Sequence, residues 1–306
     1  MKIVIGSRGS KLALWQAGWV REQLASAGFV TELRVIKTSG DKLANIPLTQ
    51  SGTKGLFVKE IEEALATGEI DLAVHSLKDL PTEQPKGLHV AAVPPREDAR
   101  DVLISRQNVR FADLGTGARV GTSSPRRQAQ ARALRADLEL IAVRGNLDTR
   151  IRKLDRGEYD ALILAAAGVA RLGLADRMTE HFDVRQMCPA VGQGALAIEL
   201  RRDDEPMHSA VHCLDHPPTH LAVLAERAAL RGLGGGCLTP TGAHAVVEHG
   251  ILRLAGIVAE VEGTRILRAF AEGSPSDPEA LGDQVARQLL SQGARELLHK
   301  NVEATR

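Results

Sequence analysis

Hydrophobic positions along the first third of the chain switch between two periods. Residues 2–6 form a short apolar run that suits a strand, and residues 11–27 put Ala13, Ala17, Val20 and Leu24 on one helical face before Gly28 ends it. Residues 30–37 alternate as a strand does. A polar stretch over 38–54, with Gly40, Pro47 and Gly52, then makes a connection long enough to be a functional loop or lid. Helical spacing returns over 55–67 through Phe57, Ile61, Ala64 and Leu65, and stops at Gly68. Residues 71–81 predict an apolar strand, Leu72, Ala73 and Val74, which ends by delivering Lys78 and Asp79 side by side ahead of Pro81. This stretch reads βαβαβ, with the carboxyl end of its last strand opening where α/β sheets bind ligands.

The rhythm restarts after Val93, Pro94 and Pro95, which read as a hinge. Strands over 119–122, 138–143 and 161–165 alternate with helices over 124–135 and 147–156. Residues 190–194 predict a crossing back, and 195–200 a strand that rejoins the first unit. Two α/β lobes joined by two crossings predict a cleft. From Pro217 the pattern changes: a helix over 221–230, a glycine-rich loop at Cys237, strand-like runs over 241–247, 251–259 and 265–271 with a turn at Glu262 and Gly263. A last helix over 278–298 carries the stripe Leu281, Val285, Leu289 and Leu290. Grouped strands followed by a helix predict a small α+β domain. The expected division is 1–95 with 195–214 as one lobe, 100–190 as the second, and 217–306 as the third domain.

Composition removes some functions. A formal net charge of +1 and 3% aromatic residues argue against a nucleic-acid reader, so any basic cluster has to be local. The opening run to Gly6 is too short for a secretory core or a membrane span, which predicts a cytoplasmic protein without membrane association. The three cysteines, Cys188, Cys213 and Cys237, are odd in number and far apart, as expected of reduced thiols.

The arginines are what the chemistry turns on. Arg8 follows the first strand, Arg126 and Arg127 follow the strand that ends at Gly121 and Thr122, Arg144 ends the next, Arg150 opens a helix, and Arg171 follows the strand through Leu164. In a parallel sheet all of these lie toward strand carboxyl ends, and their rigid donor forks fit carboxylate or phosphate. Ser124 at an N-cap with Pro125 at the first helical position adds free backbone N–H groups to the same anion receptor. Cys237, in its loop of glycines, is a thiol that could hold a bulky group as a thioether, although free cysteines are more often small core residues. Cys188 and Cys213 are read as the latter. His208, His212, His216 and His220 recur every fourth residue, but Pro217 and Pro218 are expected to interrupt any helix stacking them, and no metal is expected. On residues alone two functions stand: an enzyme using Asp79, or a non-catalytic cytosolic anion-binding module.

The strings AVHSLKDLP at 73–81, GTSSPRRQAQ at 121–130, VRGNLDTR at 143–150, PAVGQGALAIE at 189–199 and GGGCLTPTGAHA at 234–245, with SRGSKLALWQ at 7–16 and GLFVKE at 55–60, closely resemble the porphobilinogen deaminase (hydroxymethylbilane synthase) family. The resemblance runs over nearly the whole chain. It implies an α/β fold of two type II periplasmic-binding-protein-like lobes around a cleft plus a small α+β C-terminal domain, in a family of monomeric cytosolic transferases that join four porphobilinogen molecules head to tail, lose ammonia each time, and release hydroxymethylbilane. By likeness Cys237 would carry a dipyrromethane cofactor and Asp79 would be catalytic. Cofactor contacts would be Lys78, Asp79, Ser124, Arg126, Arg127 and Arg150, and substrate contacts Arg8, Ser10, Gln16, Lys54, Arg144, Arg150 and Arg171. Two departures are small: Ser7 stands where threonine is usual, and Gln50 where some relatives have a basic residue.

Overall fold

The computed structural model describes residues 1–42, 57–234 and 239–304. Chain order begins β1 (Lys2–Ser7), α1 (Lys11–Ser26), β2 (Val30–Val35), α2 (Ser39–Lys42), α3 (Lys59–Ala66), β3 (Leu72–Ser76) and β4 (Leu88–Ala92). It continues with β5 (Asp101–Ser105), β6 (Arg119–Gly121), α4 (Pro125–Leu134), β7 (Glu139–Ile141), α5 (Leu147–Asp155), β8 (Ala161–Ala165), α6 (Ala166–Arg171) and β9 (Glu180–His181). Then come β10 (Leu196–Arg201), α7 (Glu205–Val211), α8 (Pro217–Gly232), β11 (Thr241–Glu248), β12 (Ile251–Ala259), β13 (Ile266–Gly273), α9 (Pro278–Ser291) and α10 (Ala294–Ala304). By compactness the chain divides into Met1–Glu97 with Ala195–His220, and Asp98–Gly194 with Leu221–Arg306.

The first unit is built on a sheet of order β2-β1-β3-β10-β4. β1 is parallel to β2 and β3, whereas β10, returning late in the chain, is antiparallel to both β3 and β4. Helices cover both faces, so β3 is buried throughout Leu72, Ala73 and Val74 rather than alternating. Leu72, Val74, Ile198 and Leu200 pack with Ala17, Val20 and Leu24 of α1 and with Met207 and Val211 of α7. Ala73 packs on the other face with Ile61, Ala64 and Leu65 of α3.

The second unit repeats the plan with order β7-β6-β8-β5-β9. β6 is parallel to β7 and β8, and β5 is antiparallel to β8. In the first sheet β10, returning late in the chain, enters beside β3, the third strand of the local βαβαβ run, and in the second β5 enters beside β8. The C-terminal sheet, β11-β12-β13, is antiparallel throughout and packs Leu254 and Val258 against Val285 and Leu289 of α9. Gly282 lets α9 approach α8, since a Cβ there would lie 2.4 Å from the Ala225 carbonyl oxygen. This sheet is tied to the rest of its unit: Ala243 N donates to Pro189 O at 3.1 Å, and the Arg132 guanidinium donates to Val261 O at 2.7 Å.

Several expectations are corrected. The last helix is two, α9 and α10, because Gly293 takes a φ of +96° and breaks the run. As expected, Pro217 and Pro218 keep the histidine series off one helix: α7 ends at Val211 and the prolines open α8, where the first-turn amide they lack has no intrahelical acceptor. β4, β5, β9, α6 and α7 were not foreseen: β5 opens on a buried charge, Asp101, and α6 continues the apolar run of β8 without a visible change of period.

Charged side chains sit inside the first unit's core. Glu62 of α3 is 9% exposed and faces Glu199, which is fully buried, and His75. Burial and the charge of Glu199 push the Glu62 carboxyl up from 4.5, against the opposing pull of His75. A raised carboxyl stabilises the fold in its protonated form, a contribution present below the unfolded value and lost as pH rises through the folded one. Glu62→Gln is therefore expected to raise the melting temperature at about pH 8 and change it little at about pH 4.5, as followed by thermal denaturation at both.

Candidate active site

In the first unit, parallel β1 and β3 bring their carboxyl ends to one sheet edge. Beyond β1, Arg8 stacks its guanidinium carbon 4.2 Å from the Phe57 ring centroid, and Ser10 caps α1, its Oγ accepting from Ala13 N at 3.3 Å. Beyond β3 the chain makes a 3₁₀ turn, Leu77–Asp79, closed by Leu80 N donating to Leu77 O at 3.1 Å. Two bonds pin where this turn starts. Leu77 N donates to Ala195 O at 3.1 Å, and the side chain of Gln16, only 3% exposed, donates to Ser76 Oγ at 2.8 Å. Lys78 is half-buried and Asp79 is exposed. The backbone beneath the Asp79 carboxylate is thus held while the carboxylate itself reaches water. Arg8, Ser10, Gln16, Lys78 and Asp79 share this region, as their places after β1 and β3 predict.

In the second unit the predicted helix start is present. Ser124 caps α4 by accepting from Arg127 N at 3.4 Å, Pro125 opens the helix, and Ser123 Oγ donates to Val143 O at 2.5 Å. The paired arginines behave differently from expectation. They turn inward: Arg126 is 3% and Arg127 6% exposed, and both pair with Asp101, which is fully buried. Arg126 Nη1 donates to Asp101 Oδ2 at 2.7 Å and to Cys188 O at 2.5 Å. Arg127 Nε donates to Asp101 Oδ1 at 2.9 Å and Nη2 to Gln193 Oε1 at 3.2 Å. Gln193 Nε2 completes the ring, donating to Asp101 Oδ1 at 2.9 Å and to Ala99 O at 2.7 Å. Burial pushes the Asp101 carboxyl up, but the two guanidinium charges and the hydrogen bonds from Arg126 and Gln193 outweigh it and hold the group far below the usual carboxylate range. These guanidinia are therefore not a solvent-facing receptor; Arg126 keeps a buried Nε with no hydrogen-bond partner among the described residues. Sequence reasoning missed Asp101, because an acid among the charges of 96–101 carries no local sign of burial.

The other arginines lie further from the strands than the pattern predicts. Arg144 is half-buried beyond β7, and Arg150 Nε donates to Gly145 O at 2.8 Å across the start of α5. Arg171 ends α6 and is 8% exposed, its Nη2 donating to Gly194 O at 2.7 Å. Lys54, Gln50 and Cys237 lie outside the described residues. Burial pushes the thiol of Cys188 up to about 12, which agrees with its reading as a core residue, and Cys213 is exposed. The histidines do not form one stack: His208 stacks on His89 with centroids 4.7 Å apart, while His216 bonds Thr219 and His220 bonds Asp215, each at 2.8 Å. Among the described residues no group of three or more His, Cys, Asp or Glu is placed to hold a metal ion, and none of their helices is long and apolar enough to cross a membrane.

A dipyrromethane carries acid side chains on two pyrroles, and within the second unit the Ser124 hydroxyl and the buried, unpaired Arg126 Nε are donors of the kind that fit such groups. Family models agree. That for the porphobilinogen deaminase dipyromethane cofactor binding domain matches residues 3–209, and that for the porphobilinogen deaminase C-terminal domain matches residues 220–291. Porphobilinogen deaminase of Geobacter metallireducens is 52% identical over 296 residues, covering 96% of this chain and 93% of its own. Those of Pelobacter propionicus, 51% identical over 97% of this chain and 96% of its own, and of Syntrophobacter fumaroxidans, 49% identical over 97% of each, are similar to the same extent. Among solved structures, the methionine-binding protein MetQ is 14% identical and covers 70% of this chain and 88% of its own at a TM-score of 0.43, a likeness too slight to argue from. The matched domains and these relatives make the chain a transferase of porphyrin biosynthesis with a dipyrromethane cofactor-binding domain. It belongs to the porphobilinogen deaminase family. Nothing in these relatives favours a non-catalytic anion-binding module.

The buried ring around Asp101 gives the second unit a strong dependence on one carboxylate. Asp101→Ala is expected to cost about 3–5 kcal/mol by leaving two buried guanidinia uncompensated, measured by urea denaturation; an unchanged midpoint would show that the ring carries no stability.

Proposed function

We propose that this chain polymerises porphobilinogen head to tail and releases hydroxymethylbilane, with Asp79 as the catalytic carboxylate and Cys237 as the thioether anchor of dipyrromethane. The observation that carries the reading is an exposed carboxylate on a backbone turn pinned at Leu77 and Ser76, at the carboxyl end of a central strand. Loss of ammonia from the aminomethyl group of porphobilinogen leaves a cationic, electron-poor pyrrole. A fixed Asp79 carboxylate beside the pyrrole N–H stabilises that cation and accepts the proton that coupling releases. The dipyrromethane, when bound, supplies the pyrrole carbon from which the chain grows.

The remaining residues bind and orient. Lys78, Ser124, Arg126, Arg127 and Arg150 are assigned to the cofactor's acid groups, and Arg8, Ser10, Gln16, Lys54, Arg144, Arg150 and Arg171 to porphobilinogen and the lengthening chain. Each added pyrrole brings an acetate and a propionate, so guanidinia distributed along the chain suit a ligand whose charge grows with every step. Arg126 and Arg127 act here as a neutralised, rigid pair, with the Arg126 Nε as the donor left to a ligand. The functional division is taken as lobes 1–95 with 195–214 and 100–190, and a cofactor-bearing domain 217–306. The protein is taken as a cytoplasmic monomer, and the absence of nucleic-acid partners accords with a net charge of +1 and few aromatic side chains.

Asp79→Asn is expected to lower kcat by about 10²-fold or more in a chain that still carries its cofactor, as checked by steady-state assay beside intact-protein mass; near-normal kcat would remove Asp79 from the chemistry. Cys237→Ser is expected to show the mass of the bare chain where the parent shows a two-pyrrole excess. Retention of that excess in the variant would place the anchor elsewhere.

A further inference from the structure

Glu199 is fully buried in the middle of β10, and its two carboxylate oxygens serve different partners. Oε2 lies 3.1 Å from Nε2 of His75, itself 5% exposed, and Oε1 accepts from Gln84 Nε2 at 3.2 Å. The register explains the first contact. Ala73 stands opposite Glu199 and His75 opposite Ala197, so His75 and Glu199 are diagonal neighbours on the sheet face covered by α3. The second contact is not dictated by any ladder, because Gln84 lies between β3 and β4. His75 precedes the Leu77–Asp79 turn on the strand that leads into it, and Gln84 follows on the segment that leads out.

A buried carboxylate is an expensive way to join two strands that already share a ladder, and an apolar side chain here would extend the core formed by Ile61, Leu65 and Ala73. What an apolar residue could not do is hold both flanks of the turn with one rigid group. We infer that Glu199 is a positioning residue for the reaction: through His75 on one side and Gln84 on the other it clasps the Leu77–Asp79 turn and fixes the Asp79 carboxylate. This rests on the reading of Asp79 as the catalytic group. Glu62 is the charged side chain that faces Glu199 from α3, and burial together with the charge of Glu199 pushes its carboxyl up.

The test uses Gln84→Ala, Glu199→Gln and Glu199→Leu, each in the cofactor-loaded enzyme and again alongside Asp79→Asn. Gln84→Ala is expected to lower kcat about tenfold with KM for porphobilinogen unchanged, and with the melting temperature and the cofactor mass preserved. Glu199→Gln, which keeps an acceptor for Gln84, should lose less than Glu199→Leu. Beside Asp79→Asn, none of the three should lower the residual rate further. Hydrogen exchange gives a readout independent of turnover: amides over residues 77–84 should exchange faster in Gln84→Ala while the rest of the sheet is unchanged. Unaltered exchange and kcat in Gln84→Ala, or equal losses with and without Asp79→Asn, would overturn the clasp. If Asp79→Asn alone turned over normally, the fault would lie with the reading of Asp79, and the exchange result would still decide whether Glu199 holds the turn.

Discussion

Two guanidinia and one carboxylate, buried together, are the constraint on which the second unit depends. Asp101 neutralises Arg126 and Arg127, and the donors left over reach main-chain carbonyls of Ile163 and Cys188 and the side chain of Gln193. One charge cluster thereby joins the start of β5, the first turn of α4, the middle of β8 and the segment that returns toward β10. The Glu226 carboxylate, fully buried on α8, extends this order by accepting from Gly192 N at 2.6 Å and Ala245 N at 2.7 Å, so the returning segment is also tied to the C-terminal sheet. Such groups tolerate burial only as a complete set, since removing one partner leaves the others desolvated without compensation.

The first unit solves a different problem. On the proposed role of Asp79 its carboxylate has to be reachable, which argues for exposure, yet it also has to be held still. The fold separates these demands: the Asp79 side chain is exposed, and the rigidity lies in its backbone, through Ala195, Gln16 and the buried Glu199. Preorganisation of this kind supplies electrostatic stabilisation without reorganisation at the moment charge develops. Here the late-returning strand β10 matters most, because it contributes Glu199, and the Ala195 acceptor immediately precedes it.

Burial assigns the arginines unlike tasks despite their common chemistry. Arg126 and Arg127 both turn donors on Asp101 and on groups of the protein around it, and Arg171 gives one to the carbonyl of Gly194. Arg8 and Arg144 are half-buried, with Arg8 resting on Phe57. A residue that binds a carboxylate ligand and one that braces the backbone around it are indistinguishable in a string of letters, because the guanidinium fork fits a carboxylate, a carbonyl pair or an aromatic face equally well.

The sequence by itself determined the elements with a clear period and the chemistry that is local in the chain. The α1 stripe, the βαβαβ run ending at Asp79, the Ser124 cap, the hairpin strands of the third domain and the motifs of the family were all legible, because each depends on spacing or on turn and cap residues within a few positions of one another. The break at Gly293 went unread because a left-handed glycine inside an apolar stripe looks like any other until the backbone is seen. Only the tertiary structure decided which charges are buried and with whom. Asp101 meets Arg126 and Arg127, and Glu199 meets His75 and Gln84, across separations of 25 residues or more. The cost of desolvating a charge is met by whichever group the fold brings within about 3 Å, and that partner is set by sheet order and register, which no local pattern encodes.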